Sequence, residues 1–130
     1  MTNTILIVDD NPDDLEITKR VLTKTGIALT IKEALRGETA LELLRKWSAL
    51  PRLILLDLKM PGMNGIETLR EIRQDVRLKH VPVVILTNST LDSDKQEAHN
   101  AGANAYLHKA FDIDQFRGEL QFALKQWLTP

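Results

Sequence analysis

The sequence has no cysteine and few aromatic residues: two Trp, one Tyr and three Phe among 130 positions. The lack of cysteine excludes disulfides, thiolate catalysis and cysteine zinc sites. Seventeen basic and eighteen acidic residues give a formal net charge of −1. Since no block of Lys or Arg is present either, the charge pattern does not indicate binding to nucleic acid or to an anionic membrane.

Long apolar runs are also missing, so we expect no membrane-spanning segment. The first ten residues, "MTNTILIVDD", lack the basic region that begins a signal peptide. A cytoplasmic location fits these features. The length suits one domain with a real core, and we expect a single domain over residues 1–130 with no output domain.

Short apolar runs alternate with amphipathic stretches five times. The strand candidates are "TILIVDD" (4–10), "ALTIKEAL" (28–35), "RLILLDL" (52–58), "VPVVILT" (81–87) and "NAYLHK" (104–109). The helix candidates are a segment that begins at Pro12 and stops at Gly26, then 37–47, 65–74, 92–101 and 112–128. This alternation predicts an α/β fold, a doubly wound parallel sheet of five strands with five helices on both faces.

Chemically active side chains stand where the predicted strands end. Asp9 and Asp10 end the first, Asp57 the third, Thr87 the fourth and Lys109 the fifth. Ligands bind at the carboxyl ends of the strands in such a sheet. Right-handed crossovers bring all these ends to one edge, so we expect the five side chains to share a cleft.

Clustered carboxylates repel one another, by about 4 kcal/mol per pair at 4 Å with an effective dielectric near 20. A divalent cation relieves this repulsion, and oxygen ligands suit Mg²⁺, with Mn²⁺ as the alternative. A carboxylate is also a nucleophile that forms aspartyl-phosphate. The cleft therefore predicts phosphoryl transfer to Asp57, with Lys109 and Thr87 contacting the phosphoryl oxygens.

Four motifs on these strand ends give the sequence a family resemblance. They are "VDDN" (8–11), "LLDLKMPGMNG" (55–65), "VVILTNS" (83–89) and "GANAYLHKAF" (102–111). In order and spacing the chain resembles a stand-alone, CheY-like receiver domain of the two-component response regulators. The resemblance implies a flavodoxin-like sheet with strand order 2-1-3-4-5.

The resemblance also implies roles for single residues. Asp57 matches the phospho-acceptor, Asp10 the direct Mg²⁺ ligand and Asp9 a mostly water-mediated ligand. The backbone carbonyl of Lys59 matches the third protein ligand.

Thr87 and Lys109 match the pair that contacts the phosphate. Tyr106, which from its position alone is a half-buried strand aromatic, matches the aromatic switch residue.

Ile113 and Trp127 lie on the apolar stripe of the last helix and Trp47 on that of the second, so we expect them in the core. Phe122 lies off the stripe, so it is a candidate for partner contact or simply an exposed side chain. The family usually has proline where this chain has Ala110, and we expect the Lys109–Ala110 peptide to be trans because a non-proline cis bond costs about 3 kcal/mol.

The implied function is a signalling switch that takes a phosphoryl group from a histidine kinase or a histidine phosphotransfer protein. Its output is expected to be a protein–protein contact, and it would catalyse only its own phosphorylation and dephosphorylation. A degenerate receiver that binds partners without phosphate is the alternative. A haloacid dehalogenase phosphatase is disfavoured because its second Asp is replaced by Lys59. A flavodoxin is disfavoured because "DDNPDD" is no phosphate cradle.

Overall fold

The computed structural model describes residues 3–109 and 112–128, in which five parallel strands alternate with five helices. The strands are β1 (Asn3–Val8), β2 (Leu29–Ala34), β3 (Leu53–Asp57), β4 (Val83–Thr87) and β5 (Ala105–His108). The helices are α1 (Pro12–Thr23), α2 (Gly37–Lys46), α3 (Gly65–Gln74), α4 (Asp92–Asn100) and α5 (Ile113–Trp127). The sheet order is β2-β1-β3-β4-β5, which confirms the predicted fold.

The sheet separates two apolar clusters, one on each face. Helices α1 and α5 cover one face, through residues such as Leu22 and Leu120. Helices α2, α3 and α4 cover the other, through residues such as Leu44 and Leu69. Strands β3 and β4 are buried along their whole length, as continuous apolar runs predict for central strands of a parallel sheet. Neither described segment contains a helix long and apolar enough to cross a membrane.

Capped helices follow the strands that carry the acidic residues. The Asn11 side chain accepts hydrogen bonds from the backbone N–H groups of Asp13 (2.9 Å) and Asp14 (3.2 Å). At the start of α3, Asn64 and Glu67 form a reciprocal capping box. These caps satisfy the first N–H groups of each helix, and they fix the two loops that border the acidic edge of the sheet.

The burial expected for three side chains needs correction. Ile113 was predicted on the buried stripe of α5 but is 46% exposed, because this first residue of the helix borders a groove beside α1. Trp47 and Trp127, predicted as core, are only partly buried. The prediction about the Lys109–Ala110 peptide lies outside the described residues.

Gly65 lets α3 approach the end of β3 directly. A Cβ atom at this position would lie 2.3 Å from the carbonyl oxygen of Asp57 and 2.7 Å from the Cα of Leu58. The backbone N–H of Gly65 also donates to the Leu58 carbonyl at 2.9 Å. Because both clashing atoms are backbone, a side chain here would displace the strand end that carries Asp57.

Gly65→Ala should therefore lower the free energy of unfolding by at least about 2 kcal/mol, since overpacking against backbone cannot be relieved by a rotamer change. Gly118→Ala is the matched control. No atom lies within 4 Å of a Cβ built at this position of α5, so helix propensity should raise stability by about 0.5–1 kcal/mol. Urea unfolding of both variants measures the difference; equal effects would show that the close approach at Gly65 is unimportant.

Candidate functional site

Three carboxylates meet at the carboxyl edge of the sheet. Asp57 is the last residue of β3, and Asp9 and Asp10 follow β1 directly. One carboxylate oxygen from each lies within 4.8 Å of the others. Asp9 and Asp57 are buried, whereas Asp10 is partly exposed. The cluster predicted from the sequence therefore forms, and its donor set of hard oxygens fits a divalent cation such as Mg²⁺ or Mn²⁺.

Lys109 supplies the positive charge of this cluster. Its Nζ lies 2.6 Å from Asp9 Oδ2, 3.1 Å from Asp14 Oδ2 and 3.7 Å from Asp57 Oδ1. The backbone N–H of Lys109 donates to the Thr87 carbonyl at 2.7 Å, which holds the start of the lysine beside the end of β4. The ammonium thus reaches the predicted acceptor, but it hydrogen-bonds to Asp9 and Asp14.

Asp14 is a site residue that the sequence pattern did not predict. As an acid in the first turn of α1 it suited the helix dipole, and nothing in the local pattern connected it to Lys109. A weak signal was present, because Asp14 precedes the buried Thr18 by one helical turn, and the Thr18 hydroxyl donates to the Asp14 carbonyl at 3.0 Å. Residues one turn apart share a helix face.

Burial raises the pKa of Asp57 to about 7. The charges of Asp9 and Asp10 act in the same direction. Lys109 and a hydrogen bond from the backbone N–H of Lys59 oppose them. The ionised form of Asp57 is therefore disfavoured in this enclosed position, as expected for like charges brought together in a partly dry site.

The pKa of Lys109 moves upward for the complementary reason. Burial alone would lower it, but the hydrogen bond to Asp9 and the charges of Asp57, Asp9 and Asp14 outweigh burial. Lys109 is therefore held as an ammonium by the carboxylates around it.

Thr87 lies at the end of β4 and is fully buried. Its Oγ1 accepts a hydrogen bond from the backbone N–H of Ser89 at 3.1 Å. Asp57 pairs with Leu86 in the register of β3 and β4, so the threonine is on the strand next to the acceptor. The Thr87 hydroxyl thus hydrogen-bonds to the first turn of the loop between β4 and α4 and also borders the carboxylate cluster.

A second polar group stands on the α4 side of the cluster. Ser89 Oγ donates to Asp94 Oδ2 at 2.5 Å, and Lys59 Nζ lies 3.3 Å from the same oxygen. The structure thereby gives the Lys59 side chain a partner. The predicted role of its backbone carbonyl as a metal ligand stays a prediction.

Tyr106 points its hydroxyl into the protein. Among residues 3–109 and 112–128, the buried phenol oxygen has no hydrogen-bond partner, and the ring packs on the apolar cluster under α2, α3 and α4. Burial raises the pKa of Tyr106, with the charge of Asp94 acting the same way and the Ser89 hydroxyl acting against it. Phe122, by contrast, is 69% exposed on α5, as the sequence predicted.

Comparison with known proteins agrees with this arrangement. Residues 5–121 match the family model described as the response regulator receiver domain. The chain is 34% identical over 128 residues to the probable methanogenesis regulatory protein FilR2 of Methanothrix harundinacea, covering 95% of this chain and 83% of that protein.

Two solved structures have nearly the same fold. The phosphorylated cyanobacterial phytochrome response regulator RcpA superposes with a TM-score of 0.90 at 28% identity, covering 99% of this chain and 96% of that one. The Mn²⁺-bound response regulator Rcp1 gives a TM-score of 0.86 at 32% identity, covering 97% and 94%. A parallel sheet with an acidic cluster at its carboxyl edge thus defines the class, and the chain belongs to the response regulator receiver domain family of two-component signalling.

The raised pKa of Asp57 predicts how the metal-free protein responds to pH. The folded state keeps the Asp57 proton up to about pH 7, whereas the unfolded carboxyl loses it near pH 4. Between these values the folded state binds more protons, so the free energy of unfolding should fall as the pH rises. Asp57→Asn stays neutral and should not show this part of the loss.

In chelator, Asp57→Asn should match wild type near pH 4 and exceed its stability at pH 8. The gain should be on the order of 2 kcal/mol, since solvent at the open side reduces the full effect of the shift. Urea unfolding at intervals between pH 4 and 8 measures it. A stability difference that does not change with pH would refute the account of Asp57 as a strained carboxylate.

Proposed function

We propose that this chain is a phosphorylation-activated signalling switch, and that Asp57 accepts a phosphoryl group from a histidine kinase or a histidine phosphotransfer protein. One observation carries the proposal. Asp57 ends a buried strand with the Lys109 ammonium 3.7 Å away and with two further carboxylates close enough to share a metal ion.

Asp57 is the nucleophile in this proposal. One carboxylate oxygen attacks phosphorus, the P–N bond to the donor imidazole breaks as the new P–O bond forms, and the imidazole keeps the electron pair. The backbone N–H of Lys59, which hydrogen-bonds to Asp57, holds the carboxylate in place. Such transfer needs little beyond positioning and charge neutralisation.

The acidic residues would help to neutralise the phosphoryl charge by holding a metal ion. Asp9, Asp10, Asp57 and the carbonyl of Lys59 would hold Mg²⁺ or Mn²⁺, which neutralises charge on the phosphoryl oxygens when bound. The Mn²⁺-bound state of Rcp1 supports this choice of ion. Lys109 turns from Asp9 and Asp14 toward the new phosphoryl group. This movement is short because Lys109 Nζ already lies 3.7 Å from Asp57 Oδ1.

Thr87 and Tyr106 carry the signal outward. When Thr87 Oγ1 donates to the phosphoryl group, the N–H of Ser89 loses the geometry of its present bond. The loop that leads to α4 then adjusts, and Tyr106, whose phenol lacks a partner among the described residues, repositions with it. The surface formed by α4, β5 and α5, including the exposed Phe122, is the proposed contact for a protein partner.

The competing functions have less support. A degenerate receiver has no need of a buried carboxylate whose pKa is raised to about 7. A phosphatase acting on other substrates needs a general acid two residues after the nucleophile, where the Lys59 ammonium instead pairs with Asp94 at 3.3 Å. We therefore propose no enzymatic activity beyond formation and hydrolysis of the protein's own aspartyl-phosphate.

Incubation with acetyl phosphate and Mg²⁺ should add one phosphoryl group, seen by intact mass. Asp57→Asn should abolish the addition, because the amide is not a nucleophile of this kind, and excess chelator should suppress it in wild type. Asp92→Asn, which changes an acid on α4 outside the cluster, should label normally. Undiminished labelling of Asp57→Asn, or equal labelling in chelator, would show that the acceptor or the metal requirement is wrong.

Binding of beryllofluoride, a phosphoryl mimic, should change amide hydrogen exchange across residues 88–122 through the route from Thr87 to Tyr106. Thr87→Ala should bind the mimic but lose most of the change in exchange, since the Thr87 hydroxyl is the first group in the proposed route to Tyr106. Exchange followed by mass spectrometry measures both. Unchanged exchange at residues 88–122, with clear changes elsewhere, would place the output on another surface.

A further inference from the structure

We propose that Asp14 is a positioning residue that takes over the Lys109 ammonium when a divalent cation occupies the carboxylate cluster, and so sets how tightly the cluster binds that cation. This inference rests on the metal site of the proposed function. It gives a task to an acid of α1 that stands outside the carboxylates expected to hold the ion.

Lys109 occupies carboxylate oxygens that a cation in the cluster would require. Asp9 Oδ2 lies 2.6 Å from Lys109 Nζ, and Asp9 Oδ1 accepts a hydrogen bond from the backbone N–H of Asn11 at 3.0 Å. Asp57 Oδ1 lies 3.7 Å from the same Nζ. A cation held in the cluster would therefore compete with the ammonium for two of its carboxylates, because two positive charges this close repel each other.

Asp14 offers the ammonium a place outside the cluster. Its Oδ2 lies 3.1 Å from Lys109 Nζ. In residues 3–109 and 112–128, the carboxylates close enough to share an ion are those of Asp9, Asp10 and Asp57. Lys109 can therefore give up the Asp9 oxygen and keep its hydrogen bond to Asp14. The flexible four-carbon stem of lysine allows a displacement of this size.

The first turn of α1 holds Asp14 in this position. Its backbone N–H donates to the Asn11 side chain at 3.2 Å, and its carbonyl accepts from the hydroxyl of the buried Thr18 at 3.0 Å. The Asp14 side chain is 26% exposed, compared with 3% for Asp9. An ion pair with Asp14 thus stays in contact with water, and it costs less desolvation than a pair with the buried Asp9.

Removal of the Asp14 charge would leave Lys109 with the cluster. An amide at this position is a weaker acceptor for the ammonium than a carboxylate, so Lys109 Nζ would stay on Asp9 and near Asp57 when a cation arrives. The cation would then meet carboxylates that are still paired with an ammonium, and it would bind more weakly. Asp14 thus favours the metal-bound state without being one of the expected ligands.

Calorimetric titration with MgCl₂ tests the inference in wild type, Asp14→Asn, Lys109→Met and the double variant. Asp14→Asn should raise the dissociation constant of Mg²⁺ by about three- to tenfold, since the pair that it removes is less exposed than an ordinary surface ion pair. In the Lys109→Met background the same change should raise the constant by a much smaller factor, because only the direct effect of the charge remains. Asp14→Glu keeps the carboxylate and should stay within about twofold of wild type.

Asp13→Asn is the matched control, because Asp13 is also an acid in the first turn of α1. Within the described part of the chain, the carboxylate partners of Lys109 Nζ are Asp9, Asp14 and Asp57. Asp13 is exposed, so its loss should change the Mg²⁺ dissociation constant by less than about twofold after screening by salt. The variants of Asp13 and Asp14 leave the buried core unchanged, so their comparison decides the inference even if Lys109→Met does not fold.

The rate of labelling by acetyl phosphate at increasing Mg²⁺ concentration gives a second measurement. Asp14→Asn should raise the Mg²⁺ concentration for half-maximal rate by the same factor as the dissociation constant and leave the plateau rate unchanged, because Asp14 acts on metal occupancy and not on phosphoryl transfer.

Three results would overturn the inference: Asp14→Asn binds Mg²⁺ as Asp13→Asn does, it weakens binding by an equal factor in the Lys109→Met background, or wild type binds no Mg²⁺. The first two leave phosphorylation of Asp57 untouched. If Asp14→Asn weakens Mg²⁺ binding as expected but wild type takes up no phosphoryl group, the inference stands and the proposed function fails.

Discussion

The arrangement depends on one electrostatic constraint: several carboxylates crowd around a single buried ammonium. Lys109 Nζ lies within 4 Å of carboxylate oxygens from Asp9, Asp14 and Asp57, and Asp10 completes the acidic cluster. With all groups ionised, four negative charges face one positive charge. Like charges held this close repel one another, and a bound cation would reduce that repulsion. This imbalance is why the cluster suits a divalent cation.

The framework keeps the carboxylates from relaxing this strain. β3 is buried throughout, Gly65 brings the α3 backbone against the carbonyl of Asp57, and Asn11 fixes the loop after Asp9 and Asp10 by capping α1. Each contact limits how far an acid can move toward solvent. Apolar packing and helix caps therefore keep the site from opening. This explains how the Asp57 side chain stays buried although its pKa is raised to about 7.

The sequence predicted the framework well because its determinants are local. Apolar runs placed all five strands, and Asp57 and Thr87 are the last residues of β3 and β4. The partners of the two lysines were not predictable in the same way. Lys109 and Asp14 are 95 positions apart, and several acids near the sheet edge could have accepted a hydrogen bond from Lys109. The exposure of Ile113 was missed because periodicity defines a helix face but not where that face leaves the sheet.

The two lysines at this edge of the sheet, Lys109 and Lys59, differ in how much their carboxylate partners depend on them. The Lys109 side chain is only 10% exposed, so its pairing acts in a site of low effective dielectric and removing it would leave buried carboxylates uncompensated. Lys59 pairs at the surface, where an ion pair is worth at most about 1 kcal/mol. The buried carboxylates therefore depend on the charge of Lys109, whereas the pair of Lys59 and Asp94 contributes little to holding the sheet edge together.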